Sequence, residues 1–153
     1  MGWTDRASTR LADEIRVLLR RLDAGDIRSG HRVGTLLLRA RRDAGDQLSL
    51  PLKHVASAAG TCKTRLYQWE QVARDWSGRE FAELLRRRGP HGERLMAGHL
   101  LALAGLRPRG RQDQWVAAIL REDLLVRALL RMLRASRSGT IPVVVRDCGE
   151  LAG

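Results

Sequence analysis

Aromatic residues make up only 4% of this 153-residue chain. Any core must therefore be assembled mainly from Leu, Ala and Val. Cysteine is scarce as well. Cys62 and Cys148 are the only two, and they form no CxxC pair of the kind that a zinc ribbon or a redox motif uses. No apolar run reaches the roughly 20 residues that a membrane span needs. No secretory pattern precedes the first helix, because Trp3-Thr4-Asp5-Arg6 leads straight into charged sequence. These shortages predict a soluble, reduced, cytoplasmic protein. Internal repeats and low-complexity tracts are missing too. So are a Ser/His/Asp or Cys/His constellation, metal-ligand spacing and a phosphate-cradling glycine loop. The sequence thus predicts neither an enzyme nor a cofactor, metal or small-molecule ligand. Acidic residues are scattered on helix ends, where capping and dipole effects explain them.

Lysine is the last shortage, and the most informative. Only Lys53 and Lys63 are present, among 28 basic residues. A GC-rich genome explains arginine in place of lysine. It does not explain 28 basic residues against 17 acidic ones, a net charge of +11 and a pI near 11.4. That excess favours a polyanionic partner, bound by phosphate neutralisation and counterion release. Nucleic acid fits better than a membrane surface. At 44% apolar the chain is not disordered by composition, and its length suits one domain with a real core.

Periodicity predicts an all-α bundle. A first helix from Ser8 or Thr9 to Ala24 carries the stripe Leu11, Ile15, Leu18, Leu19, Leu22, and Gly25 stops it. Asp26 caps a second helix, Ile27 to Ala44, with a looser stripe of Ile27, His31, Gly34, Leu37 and Leu38. Gly30 and Gly34 cost helix stability there, so they predict close helix packing. His31 reads as a structural histidine. Arg39-Ala40-Arg41-Arg42 fits either a solvated helix end or a phosphate contact. Ser49 caps the next helix, with Pro51 inside its first turn. Farther on, Ser77 and Glu80 form a capping box, with Trp76 and Phe81 at the hydrophobic-staple positions. That predicts a helix from Gly78 to Arg88, with Phe81, Leu84 and Leu85 inward. Further helices are expected over Glu93–Ala104, Gln112–Arg121 and Asp123–Ala135. Thr140-Ile141-Pro142-Val143-Val144-Val145 has strand composition and suits an extended tail or a strand added across a dimer. The expected organisation is a helical pair over 1–48, a DNA-binding domain over 49–135 packed with it as one unit, and a tail over 136–153.

The stretch from Leu52 to Gln71, LKHVASAAGTCKTRLYQWEQ, stands at the centre of this arrangement. Ala56, Gly60 and Leu66 have helix-turn-helix spacing. A small residue lets the second helix cross closely, a glycine supplies the left-handed turn, and an apolar residue pins the second helix. Val55, Ala59 and Trp69 fill the other inward positions. The second helix runs from Lys63 to about Asp75, with Thr61 or Cys62 as its cap. Spacing alone fits an ordinary helical hairpin equally well.

The later landmarks extend the pattern. The motif is followed by a helix ending at Gly89-Pro90, then by Gly98-His99 leading a leucine-rich helix, then by Val126-Arg127. Over roughly residues 48 to 135 this resembles the central DNA-binding domain of the ParB/KorB family of partition proteins. Leu100 replaces that family's usual Ala, and Leu125 its usual Ser. Nothing in residues 1 to 48 matches the family's arginine-rich nucleotide-binding motif. The resemblance therefore implies DNA binding, without nucleotide binding, clamping or sliding. The N-terminal helices resemble those of small phage and plasmid proteins.

On a helix-turn-helix the exposed early positions of the second helix reach base edges. Here they are Cys62, Lys63, Thr64, Tyr67, Gln68 and Gln71. Gln68 suits adenine and Lys63 guanine. Thr64 suits a thymine methyl or a phosphate, and Tyr67 a phosphate or a base. Arg65 and Arg74 are expected at the edge on phosphates, with Lys53 on the first helix of the pair as a further DNA contact. Leu66 and Trp69 should be buried. Cys62 reads either as a small turn residue or as a thiol whose pKa a helix N-terminus depresses. The groups Arg86-Arg87-Arg88 and Arg107, Arg109, Arg111 fit phosphate contacts or solvated faces equally. The expected function is sequence-specific binding of double-stranded DNA by a homodimer, in a nucleoid-associated regulator or partition accessory of a mobile element. The alternatives are charge-driven nucleic-acid packaging and a helical protein-interaction adaptor.

Overall fold

The computed structural model describes residues 5–45 and 50–136, apart from the side chain of Asp5. The fold is all-α. Among the described residues there are eight helices and no strand: α1 (Asp5–Asp23), α2 (Ile27–Ala44), α3 (Leu52–Ala59), α4 (Lys63–Asp75), α5 (Gly78–Arg86), α6 (Ala97–Leu103), α7 (Arg109–Glu122) and α8 (Val126–Ala135). Ser49, the stretch 140–145 and all of the tail beyond Ser136 lie outside the described residues. The chain divides into two compact units between Arg74 and Asp75, in the last turn of α4.

In the first unit, α1 packs against both α2 and α3. It buries Leu11, Ala12, Ile15, Leu18 and Leu19, while Leu22 is only half-buried. The helix starts at Asp5, a turn before the expected Ser8, which is itself buried. The buried face of α2 comprises Ser29, Gly30, His31, Val33, Gly34, Leu37 and Ala40. That face is rotated from the expected stripe, leaving Ile27 and Leu38 half-buried. The cause is the Trp69 side chain. A methyl group at Gly30 would lie 2.5 Å from its ring, and one at Gly34 would lie 2.1 Å from its backbone oxygen. The two glycines thus form the slot in which α4 sits on α2. Asp26 does not cap α2 through a backbone N–H; its carboxylate accepts the Ser29 hydroxyl at 2.9 Å.

The second unit begins on the expected capping box. Glu80 N–H donates to Ser77 Oγ at 3.1 Å, and Ser77 N–H donates to Glu80 Oε1 at 3.0 Å. Trp76 and Phe81 are both buried. α5 stops at Arg86, two residues before the expected end, and Leu85 is only half-buried. The helix expected from Glu93 begins only at Ala97. Glu93 is occupied in closing a turn: its carbonyl accepts Gly89 N–H and its carboxylate accepts His91 N–H, both at 2.8 Å. Met96 is consequently exposed.

His99 fastens α6 at both ring nitrogens. Nδ1 accepts Met96 N–H at 2.9 Å, and Nε2 donates to Leu124 O at 2.6 Å. A Cβ at Gly98 would meet Val126 Cγ2 at 2.9 Å. Gly98-His99 and the turn before α8 are therefore one physical junction. α7 is longer than expected and starts at Arg109. Asp123 adopts the left-handed conformation at its end (φ 51°), so α8 begins at Val126 rather than Asp123.

Candidate functional site

The turn between α3 and α4 follows from sequence. Gly60 is left-handed (φ 78°, ψ 31°), and its N–H donates to Ser57 O at 3.1 Å. Thr61 N–H reaches back to Ala56 O at 2.9 Å. These two bonds make a Schellman motif, which satisfies the last carbonyls of α3 and turns the chain sharply. Pro51 sits at the N-cap position of α3, one residue outside the helix where it was expected. Thr61 and Cys62 both precede α4, and Cys62 O accepts Leu66 N–H at 3.4 Å.

α4 has two chemically distinct faces. Leu66, Trp69 and Val72 are buried, as are Val55, Ala56 and Ala59 on α3. Lys63, Tyr67 and Arg74 are exposed, and Thr64, Gln68 and Gln71 are half-buried. Tyr67 is 47% exposed, an unusual position for an aromatic ring in a chain so poor in them. Lys63 Nζ and the Arg41 guanidinium each lie 5.8 Å from the centre of that ring, within cation–π range. Arg41 comes from the end of α2 and has no place in the helix-turn-helix pattern.

Beneath this cluster lies Glu70, which is 1% exposed. Arg41 grips it with two groups: Nε donates to Oε2, and Nη2 donates to Oε1 at 3.1 Å. Arg74 Nη2 approaches Oε2 at 3.7 Å. The hydrogen bonds from Arg41 satisfy a carboxylate that would otherwise be costly to bury. In return Glu70 raises the Arg41 pKa above its ordinary value, against the opposing effect of partial burial.

The structure therefore brings together Lys63, Tyr67 and Arg74 of the expected set and adds Arg41 and Glu70. Arg65 points elsewhere, donating to Asp23 Oδ1 of α1 at 2.7 Å. Lys53 is exposed on α3 and makes no ion pair among the described residues. Cys62 is half-buried in the turn before α4, and Cys148 lies outside the described residues.

Of the other arginine groups, Arg88, Arg107 and Arg109 are engaged within the second unit. Arg107 donates to Asp75 Oδ1 at 2.8 Å, and Arg109 to Glu80 Oε2 at 2.6 Å. Arg88 Nη1 donates to the carbonyls of Leu85 and Arg87 at the end of α5. Asp75 is buried and far more than a helix-end charge. Its Oδ2 also accepts Gly105 N–H at 2.6 Å and Gln112 Nε2 at 2.7 Å. Arg107 is raised in pKa by its bond to Asp75.

Among the described residues, no group of three or more His, Cys, Asp or Glu is placed to hold a metal ion, and no helix is long and apolar enough to cross a membrane. No protein-family model, curated protein or solved structure matches the chain.

Proposed function

We propose that the chain is a sequence-specific double-stranded DNA-binding protein that reads the major groove with α4. One observation carries this reading: α4 buries one face through Leu66, Trp69 and Val72 and leaves Lys63 and Tyr67 exposed and Thr64, Gln68 and Gln71 half-buried, directly after a Schellman turn. The net charge of +11 supplies the long-range attraction to a polyanion. Gln68 and Lys63 have the donor and acceptor sets that discriminate adenine and guanine edges. A single helix reads too few base pairs for genomic specificity, so the protein acts as a homodimer on an inverted repeat. Within this reading it is a nucleoid-associated regulator or partition accessory with a ParB/KorB-like domain.

Gel shifts with wild type and Gln68→Ala test the assignment. A lost bidentate base contact is worth about 1–3 kcal/mol. Gln68→Ala should therefore weaken binding to the preferred duplex by that amount and leave random duplex nearly unaffected. Equal loss on both would remove Gln68 from base reading and favour charge-driven packaging.

A further inference from the structure

We infer that Arg41 is a phosphate-binding residue of the α4 surface and that Glu70 is the positioning residue that holds it there. This rests on the DNA reading above and adds to it a contact contributed by α2. A nearly fully buried carboxylate is retained at a penalty that an apolar residue of similar size would avoid. Its partners explain the expenditure. Among the described residues Glu70 accepts from no backbone N–H, amide or hydroxyl; it is held by Arg41 and Arg74 alone. The Arg41 side chain is 30% exposed and that of Arg74 is 52% exposed. Glu70 thus fixes the Arg41 guanidinium at the surface beside Tyr67, with Arg74 as a second ion-pair partner, without being reachable itself.

Arg41 is held on three sides. Glu70 takes Nε and Nη2, and the Tyr67 ring lies 5.8 Å from the guanidinium carbon. An arginine has five N–H donors in a rigid fork, and Glu70 engages only two of them. Its rotamer entropy is already spent before any ligand arrives. Two cations, Arg41 and Lys63, flank the single exposed ring, and a third, Arg74, pairs with the Glu70 carboxylate beneath. That charge pattern suits a phosphodiester flanking the bases that α4 faces. Arg41 contributes to affinity and register and carries no base discrimination, as phosphate contacts generally do.

The test is the salt dependence of duplex binding, measured on a preferred and a random duplex over the same ionic-strength range. Arg41→Ala should reduce the slope of log K against log salt by about one, with equal affinity loss on both duplexes. Glu70→Gln removes a negative charge from a protein that binds a polyanion, so a passive counter-charge would give tighter binding. The positioning role predicts the reverse, a loss of about fivefold. Arg41→Lys keeps a cation against Glu70 and serves if Arg41→Ala does not fold. It should keep the slope and still lose about fivefold in affinity, because an ammonium lacks the fork. Circular dichroism confirms that each variant is folded at the binding temperature. Wild-type binding with an unchanged slope in Arg41→Ala overturns the Arg41 role. Tighter or unchanged binding by Glu70→Gln overturns the Glu70 role, and full affinity in Arg41→Lys does the same for the fork. A wild type that retains no duplex at low salt sinks the DNA reading and this one with it.

Discussion

Two buried carboxylates, Glu70 in the first unit and Asp75 in the second, lie five residues apart on α4 and are treated in opposite ways. Asp75 is met by fold-internal donors: the Gly105 N–H, the Gln112 amide and the Arg107 guanidinium. Glu70 is met by guanidiniums alone. The first arrangement joins Asp75 to the segment between α6 and α7 and to α7 itself, all within the second unit. The second spends a buried charge on orienting surface cations. Both are polar groups inside an apolar core, yet only the donor set separates a lock from a display. Chemistry at the partners, more than burial, therefore distinguishes the two carboxylates.

The comparison breaks first at Asp75. Asp75→Asn leaves one oxygen for Gly105 N–H and the Gln112 amide, which share Oδ2, and sets an NH2 against the Arg107 guanidinium with no charge to offset it. The loss should be about 3–5 kcal/mol, the usual cost of breaking a buried charge network, read as a lower denaturation midpoint. Glu70→Gln should cost clearly less stability, because its partners are partly solvated. Equal losses would dissolve the distinction between the two sites.

Next comes the slot that seats α4. Gly34→Ala drives a methyl group into the Trp69 carbonyl, against backbone that cannot swing aside. Overpacking of this kind costs about 1–3 kcal/mol. Urea unfolding should show that loss with little change in the second unit. A neutral Gly34→Ala would mean that Glu70, rather than the glycine slot, anchors α4.

Smaller effects sharpen the second unit. Ser77→Ala removes the acceptor for Glu80 N–H and should cost about 1 kcal/mol, seen by thermal melting. The Glu80 carboxyl is held below its usual pKa, first by the Ser77 N–H and then by the Arg109 charge. A depressed folded pKa stabilises above the ordinary carboxylate range and loses that contribution as the pH falls through the folded value. Glu80 is half exposed, so the effect is at most about 0.5 kcal/mol. Glu80→Gln should flatten that part of the acid limb of the stability curve; an unchanged limb would assign the pH dependence elsewhere.

What could be read from the sequence was local. The Gly60 turn, the Ser77–Glu80 box and the inward Leu66 and Trp69 depend on residues within one or two turns of each other. Local rules are enough for them. Gly30 and Gly34 signalled close packing, though not that Trp69 was the occupant. The failures were long-range. Arg41 and Glu70 are 29 positions apart, and no periodicity links them. Glu93 looked like a helix start because its engagement with Gly89 and His91 shapes a turn that propensity does not reveal. Asp75 did leave a trace. A carboxylate in the last turn of a helix opposes the macrodipole, so its position called for partners outside α4. Those partners lie 30 to 37 residues downstream.

The central claim is that α4 reads base sequence in duplex DNA. Selection from a randomised duplex pool by the wild-type protein tests it most directly. The account predicts enrichment of a palindromic consensus, with half-sites one helical turn or a multiple of it apart. A pool that is retained at low salt but emerges without any enriched sequence would contradict it.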